Sequence, residues 1–529
     1  MKLMGGSHMS GNSHIYEIFK NRENFKDRLI IEGIVVGIFI GVVVSILRLI
    51  LEKAGMYLLI LYKALETKIY LLPIWLVFLV ALGIFTNYIL KLEPMISGSG
   101  IPQVEGTIIG YFKLNWLKIF VLKFVGTILM IGAGLSLGRE GPCVQLGASL
   151  GQGVSRSLKR MRFEEKYLIT CGAGAGLAAA FNAPLAGVIF SLEELHKNFS
   201  PIVLVSSMVS SLTATYITDT FLGLKTVFDI TNLPIVPFSK YIYLLVLGVV
   251  IGLGGILFNK SLLKSQDLYN KYVKIPQLKI FIPLLVSVIV GLSIPMVLSG
   301  GESLVDKISS VNLGFAFVIL LLISKFLFTM VSYGSGVPGG IFMPLLAIGA
   351  LIGNLYGIII IHIFNIDQLY LKDFIVLAMA GYFAAIVRAP ITGSLLVTEM
   401  TGSFSHLLAL STVSITAYIV SGLYRNMPIY ESLLDRIIKN TNSTKVDDND
   451  DTGKILFEMP VAVGSFVDGK KLKDIEWPHN CLVVGIKRGG KEIIPKGNTK
   501  ILSGDYIVLI GDENNVVDIK NNIRKMTEI

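Results

Sequence analysis

The sequence predicts an all-α polytopic membrane protein made of two related halves with interrupted helices, followed by a small soluble α+β domain. Three observations carry that expectation. The 529 residues are 53% hydrophobic and 16% charged, with a mean hydropathy of +0.68, a balance typical of membrane proteins rather than of soluble domains. Glycine-rich blocks in the first part of the chain recur at a nearly constant spacing. After residue 452 the pattern changes to short β-rich runs separated by Asp-Gly, Gly-Gly and Ser-Gly turns, ending in the helical stretch NNVVDIKNNIRKM.

Taken in order, the leader MKLMGGSHMSGNSH (1–14) lacks the apolar stretch of a signal peptide and reads as an expression tag. The basic run KNRENFKDR before Ile30 reads as a cytoplasmic flank under the positive-inside rule. Stretches free of Asp, Glu, Lys and Arg follow at 33–47, 71–90, 124–138, 167–192, 199–218, 241–259, 280–301, 326–366, 374–387 and 403–424. A helical span needs ~20 apolar residues, so these predict many crossings. The stretch 326–366 is too long for one span and is broken by YGSGVPGG. Two helical pieces are expected to meet there at irregular backbone, which a membrane tolerates only where protein or a water-filled cavity covers it. The polar, acidic run NTNSTKVDDNDDTG marks a linker over 440–452, and 453–529 forms the soluble domain.

Composition also excludes classes. The formal net charge of +10 does not gather into a basic stripe interleaved with aromatics, so nucleic acid is not the expected partner. Cys143, Cys171 and Cys481 provide neither a disulfide framework nor metal-ligand spacing. An intramembrane enzyme would need a nucleophile with a base, or ligands at helical spacing; HExxH, GxSxG and paired aspartates within spans are absent.

Sliding the chain on itself by 202 positions sets GAGLSLGREGPCVQLGASLG (132–151) over GSGVPGGIFMPLLAIGALIG (334–353). Gly132, Gly134, Gly138, Pro142, Gly147, Ala148 and Gly151 meet identical residues. At a similar shift Ala183-Pro184 and Gly187 meet Ala389-Pro390 and Gly393, and Glu193 meets Glu399. Related halves with helices broken at matching places are the mark of transporter folds, and the breaks point to the binding site. The mismatches are more telling. Opposite Arg139 and Glu140 stand Ile341 and Phe342, and opposite Glu194 stands Met400. Glu140 and Glu194 are therefore additions that the scaffold alone does not require, while Arg139 is expected to be a structural or electrostatic neighbour.

A path for an anion through lipid must offset dehydration without holding the ion too tightly. Helix N-termini suit this, offering partial positive charge and unpaired N–H groups. The chain has three glycine-rich breaks of that kind: GSGIP (98–102), GREGP (138–142) and GGIFMP (339–344). Ser99 adds a hydroxyl donor between two glycines. Tyr430 in MPIYES is a second hydroxyl, or, by its local sequence alone, an interfacial aromatic.

On GSGIP, GREGP, GGIFMP, the block GLAAAFNAPLAG followed by paired glutamates, and a tyrosine near the last span, all in order within residues 28–438, the chain resembles the CLC family of chloride channels and proton-coupled chloride exchangers. The resemblance implies a CLC-like domain over 15–439 built from two inverted repeats. It also implies a homodimer in the plasma membrane, with chloride as bound substrate, no cofactor, and the C-terminal domain in the cytoplasm. Carried over residue by residue, it makes Ser99 and Tyr430 hydroxyl donors to a central anion, lined also by Gly100, Ile101, Gly340, Ile341 and Phe342. Glu140 matches the gating glutamate, whose carboxylate competes with the anion and swings away when protonated. Glu194 matches the inner proton-transfer glutamate that separates exchangers from channels. Chloride–proton exchange is thus the expected function, with a passive chloride channel as the alternative. Serine within GSGIP fits the chloride-selective pattern, from which fluoride-exporting relatives depart. Met343 stands where alanine or leucine is commoner.

The tail 453–529 resembles the TrkA-C (RCK-C) regulatory module of bacterial potassium-uptake regulators, through GSFVDGKKLKDI and GIKRGGKEIIPKGNTKILSGDYIVLIG. Such modules dimerise, and some bind cyclic di-AMP at the dimer interface. Ile486, Lys487, Arg488, Ile494 and Pro495 are the candidate contacts here, the alternative being a basic hairpin used only for dimerisation.

Overall fold

The computed structural model describes residues 9–527 except 113, 161, 198, 225, 229, 231–233, 312, 443–453, 480, 489–490 and 513–515. It comprises two units, Met1–Ile437 and Ile438–Ile529. Of the predicted tag, residues 1–8 lie outside the described residues, and the first helix, Met9–Thr67, takes in the rest. The helix Ile429–Asn442 runs three residues into the predicted linker; 443–452 lie outside the described residues.

The first unit is helical, and among the described residues nine of its helices are long and apolar enough to cross a membrane. The predicted break in 326–366 is present: Phe315–Gly334 stops, and Phe342–Phe364 (hereafter the Phe342 helix) starts after seven non-helical residues. The matching break in the first half separates Trp116–Gly132 from Glu140–Ser157, the Glu140 helix. Short helices start at two further breaks, Ile101–Ile109 (the Ile101 helix) and Glu302–Ser310. Each follows a glycine in the left-handed region, Gly100 at φ +93° and Gly301 at φ +104°, a conformation that favours glycine.

The halves are related by a two-fold axis, visible in the bonding. Gly138 donates its N–H to the Gly340 carbonyl at 2.7 Å, and Gly340 returns the bond to the Gly138 carbonyl at 2.8 Å. These are equivalent residues under the 202-position shift, and their bridge is antiparallel. A residue that exchanges both bonds with its own copy, with the chains antiparallel, marks a local two-fold relation between the halves, which self-similarity of sequence alone does not establish.

The two glutamates assigned to the scaffold obey the same symmetry. Glu193 accepts from the N–H of Thr392 at 2.8 Å and its hydroxyl at 2.7 Å, at the start of Pro390–Thr401. Glu399 accepts from the N–H groups of Ala186 at 2.8 Å and Leu185 at 3.1 Å, at the start of Pro184–Phe190. Each half caps the broken helix of the other, satisfying donors that a helix start leaves open. Glu193→Ala and Glu399→Ala are each expected to destabilise the fold by about 2 kcal/mol, the scale of hydrogen bonds to a charged group. Denaturation midpoints of the purified protein check this; a loss at one site and none at the other would contradict equivalent roles.

Close helix packing relies on small residues, as is usual within membranes. A Cβ on Gly147 would overlap the Gly172 carbonyl oxygen, so a larger residue there would force the Glu140 helix and Arg162–Phe181 apart.

The second unit is a four-stranded antiparallel sheet of order β1-β4-β2-β3, with β1 Lys454–Pro460, β2 Cys481–Arg488, β3 Lys491–Ile493 and β4 Tyr506–Asp512. The helix Val516–Thr527 completes the predicted α+β character. Phe457, Val467, Ile486, Ile507, Leu509, Ile519 and Ile523 form its separate apolar core.

Candidate functional site

Three chain breaks meet at the axis. Gly98 is bridged to the loop before the Phe342 helix, donating to the Val337 carbonyl at 3.2 Å and accepting from the Gly339 N–H at 3.0 Å. Gly138 and Gly340 form the second bridge. A Cβ on Gly141 would fall 2.9 Å from the Ser99 carbonyl oxygen, and one on Gly340 3.2 Å from the Gly141 nitrogen. The N-termini of the Ile101, Glu140 and Phe342 helices therefore converge, gathering their unpaired N–H groups and the positive ends of their dipoles.

Glu140 is the first residue of its helix and wholly buried. Neither carboxylate oxygen makes a well-formed hydrogen bond among the described residues, and the backbone N–H groups of Glu140 itself and Met343 are the donors that approach it. The carboxylate folds back over Gly138, where a Cβ would overlap Oε2 and lie 3.0 Å from the backbone nitrogen of Met343. It thus faces the start of the Phe342 helix, and only glycine at 138 leaves it room. Arg139 does not neutralise it by direct pairing; its guanidinium bonds Glu302 at 2.8 Å, on the other half of the molecule. The expected structural role of Arg139 has a named partner.

Ser99 is buried, accepts from the Ile101 N–H at 3.3 Å, and lies against the Tyr333 hydroxyl. Tyr430 is fully buried, with no hydrogen-bond partner for its hydroxyl among the described residues. It is not an interfacial aromatic. Glu140, Glu194 and Tyr333 are the titratable groups whose fields reach it. Phe342 supplies a ring in an aromatic cluster with Phe181 and Phe383, at centroid distances of 5.1 and 4.6 Å. Ile341 precedes that helix as its N-cap residue. The Gly340 N–H donates to the Gly138 carbonyl, and the Ile101 N–H to the Ser99 hydroxyl; both bonds hold the loops in place. Gly100 supplies the left-handed turn.

Glu194 sits in a π-helical turn, Ser191–His196, which follows Pro184–Phe190 directly. Such turns recur at functional sites. Among the described residues its Oε1 is buried without a hydrogen-bond partner, and Glu105, Lys197, Glu431 and Glu193 are charged groups that act on it.

Two buried lysines escaped sequence reasoning. Lys123 donates to the carbonyls of Ile96 at 2.8 Å and Gly98 at 2.6 Å. Lys325, 202 residues on, donates to Val297 at 3.0 Å and Ser299 at 2.7 Å. Each ammonium holds the turn before a short helix, and Lys123 thereby fixes the Ser99 loop. The signal was present: Lys123-Phe124-x-x-Thr127 repeats as Lys325-Phe326-x-x-Thr329, just outside stretches chosen for lacking charge.

In the second unit the candidate nucleotide contacts separate. Ile486 is in the core and Ile494 is 86% exposed, with Pro495 half-buried. Lys487 pairs with Glu458. Arg488 forms a two-pronged pair with Asp505, both bonds 2.8 Å, and donates to the Lys500 carbonyl at 2.7 Å. Burial would push the Asp505 carboxyl up, but the Arg488 guanidinium and the Leu502 N–H outweigh it and hold it below the usual range. Arg488 therefore has a structural role, closing the turn before β4.

Comparison with known proteins agrees with this architecture. Residues 79–422 match the voltage gated chloride channel family and residues 456–524 the TrkA-C domain. The H(+)/Cl(-) exchange transporter ClcA of Vibrio cholerae serotype O1 is 34% identical over 392 residues, covering 71% of this chain and 83% of that protein. The transporter of the same name from Yersinia pestis is 31% identical over 355 residues, covering 66% and 74%. Among solved structures, a slow cyanobacterial Cl−/H+ antiporter superposes with a TM-score of 0.72 at 31% identity, over 78% of this chain and 99% of that one. A CLC-type fluoride/proton antiporter, at 24% identity and a TM-score of 0.63 over 76% and 97%, shares the fold.

Proposed function

We propose chloride–proton exchange as the function of this chain, which belongs to the voltage-gated chloride channel family. It is a multi-pass plasma-membrane protein and a transporter rather than an enzyme. The observation that carries the proposal is a set of buried polar atoms that make no well-formed hydrogen bond among the described residues: both Glu140 oxygens, the Tyr430 hydroxyl and Glu194 Oε1. Buried polar groups are normally paired, and an exchanged anion and proton are partners suited to all of them.

Chloride is held by the hydroxyls of Ser99 and Tyr430 and by the N–H groups at the start of the Phe342 helix, on Ile341 and Phe342. These are partial charges, strong enough to replace water and weak enough to release the ion. The ionised Glu140 carboxylate occupies the outer part of that anion position, facing the Met343 nitrogen, and withdraws when it takes a proton. Glu194 exchanges protons with the inner side. Competition between chloride and carboxylate for one positive helix terminus couples the two fluxes. Reciprocity of coupling supplies the test. In proteoliposomes, an imposed pH gradient should drive chloride against its own gradient; a passive channel lets chloride only dissipate.

The active form is proposed to be a homodimer, with the C-terminal unit in the cytoplasm as a regulatory module. Cyclic di-AMP is the proposed ligand, contacting the surface at Ile494 and Pro495, with Lys487 exchanging Glu458 for a phosphate. Titration of the purified protein with cyclic di-AMP should give saturable micromolar binding that Lys487→Ala weakens. Absence of saturable binding would leave the hairpin a purely structural one.

A further inference from the structure

The inner end of the pathway carries a charge arrangement that the exchange cycle above does not use. Lys197 ends the turn that bears Glu194 and adopts the left-handed region, φ +51°. That conformation is uncommon for a residue with a side chain and persists where the surroundings impose it. From there the ammonium reaches two other elements. It bonds Glu105 Oε1 at 2.7 Å and also Glu431. Glu105 is on the Ile101 helix, six residues after Ser99, and Glu431 adjoins Tyr430. One cation thus ties together the elements that supply both hydroxyls of the anion site and the inner acid.

The cluster is graded in exposure. The Glu105 side chain is 2% exposed, that of Glu431 24% and that of Lys197 38%. Glu194 lies among them, 4% exposed. Among the described residues, Lys197 is the cation among the charges acting on Glu194, with His196 in the same turn, and Glu193 is already committed to Thr392. Carboxylates gathered around one site repel one another unless a cation sits among them. Without the ammonium, Glu105 and Glu431 would compete with Glu194 for an arriving proton.

We infer that Lys197 is a positioning residue for proton uptake, holding the Glu105 and Glu431 carboxylates in ion pairs so that the proton taken up from the inner solution goes to Glu194. The inference rests on Glu194 as the inner proton carrier. It assigns Lys197 no contact with chloride, so the two fluxes should respond differently to its removal.

The test measures chloride and proton fluxes separately in proteoliposomes of the full-length protein. Lys197→Gln should lower the number of protons moved per chloride by about tenfold, the scale of coupling between neighbouring charges of one network, and Lys197→Arg should restore it. Lys197→Met, which also removes the charge, should lower the ratio likewise and serves if Lys197→Gln does not fold, whereas Glu431→Gln, which removes one competing carboxylate and leaves the Lys197–Glu105 pair in place, should not lower it. A ratio unchanged in both neutral Lys197 variants, or chloride and proton fluxes falling together in Lys197→Gln, overturns the inference and leaves Lys197 a structural clamp. Wild-type protein that moves no protons with chloride overturns the exchange proposal, and this inference with it.

Discussion

Glu140→Gln is expected to lower proton movement by roughly two orders of magnitude, the scale for loss of a positioned proton-transfer group, while chloride still crosses. The carboxamide keeps the volume of the side chain over Gly138 but is neutral at every pH. It neither carries a proton nor competes as an anion for the N-terminus of the Phe342 helix. In the wild type, protonation removes the competing carboxylate, so chloride flux should rise as the outer pH falls. In Glu140→Gln that dependence should vanish. Paired chloride-electrode and pH-electrode recordings from proteoliposomes check both points. Proton flux that survives the substitution would show that the proton bypasses this carboxylate.

Glu194→Gln should abolish proton flux to a similar extent but leave a different signature. The outer gate still titrates in this variant, because Glu140 is intact and reached from the other side. Chloride flux should therefore continue to rise as the outer pH falls, although no proton is delivered to the inner solution. The two substitutions are alike in their loss of coupling and opposite in pH response. A Glu194→Gln protein that loses its dependence on outer pH would mean that the inner acid also acts on the gate.

Much of this molecule was legible in the sequence because a membrane restricts what a chain can do. Charge-free stretches mark helices, and glycine-rich breaks stand out where irregular backbone needs cover. The comparison of the halves separated Glu193, which caps the opposite half, from Glu194, which has an unpartnered oxygen; local sequence treats the two as one acidic pair. Direction was not legible. The two-fold axis depends on how Gly138 and Gly340 bond each other, and no pattern of residue types records that. Backbone commitments were equally hidden: Gly340 and Ile101 sit where an anion contact is expected, but their N–H groups hold neighbouring loops. Tyr430 looked interfacial because its neighbours in sequence are polar, whereas folding buries it completely. Lys123, Lys325 and Lys197 were missed for a related reason. A lysine near an apolar stretch reads as its boundary, and its role appears only once the carbonyls and carboxylates it bonds are brought to it by distant parts of the chain.

Coupling between chloride and proton is the central claim, and it has a direct measurement. Wild-type protein is reconstituted into liposomes with a steep chloride gradient, no pH gradient and a membrane potential clamped near zero, and the external pH is recorded. Exchange predicts protons moving uphill, opposite to the chloride, until the two gradients balance. Chloride dissipating with no change in pH would contradict the account and leave a passive channel in its place.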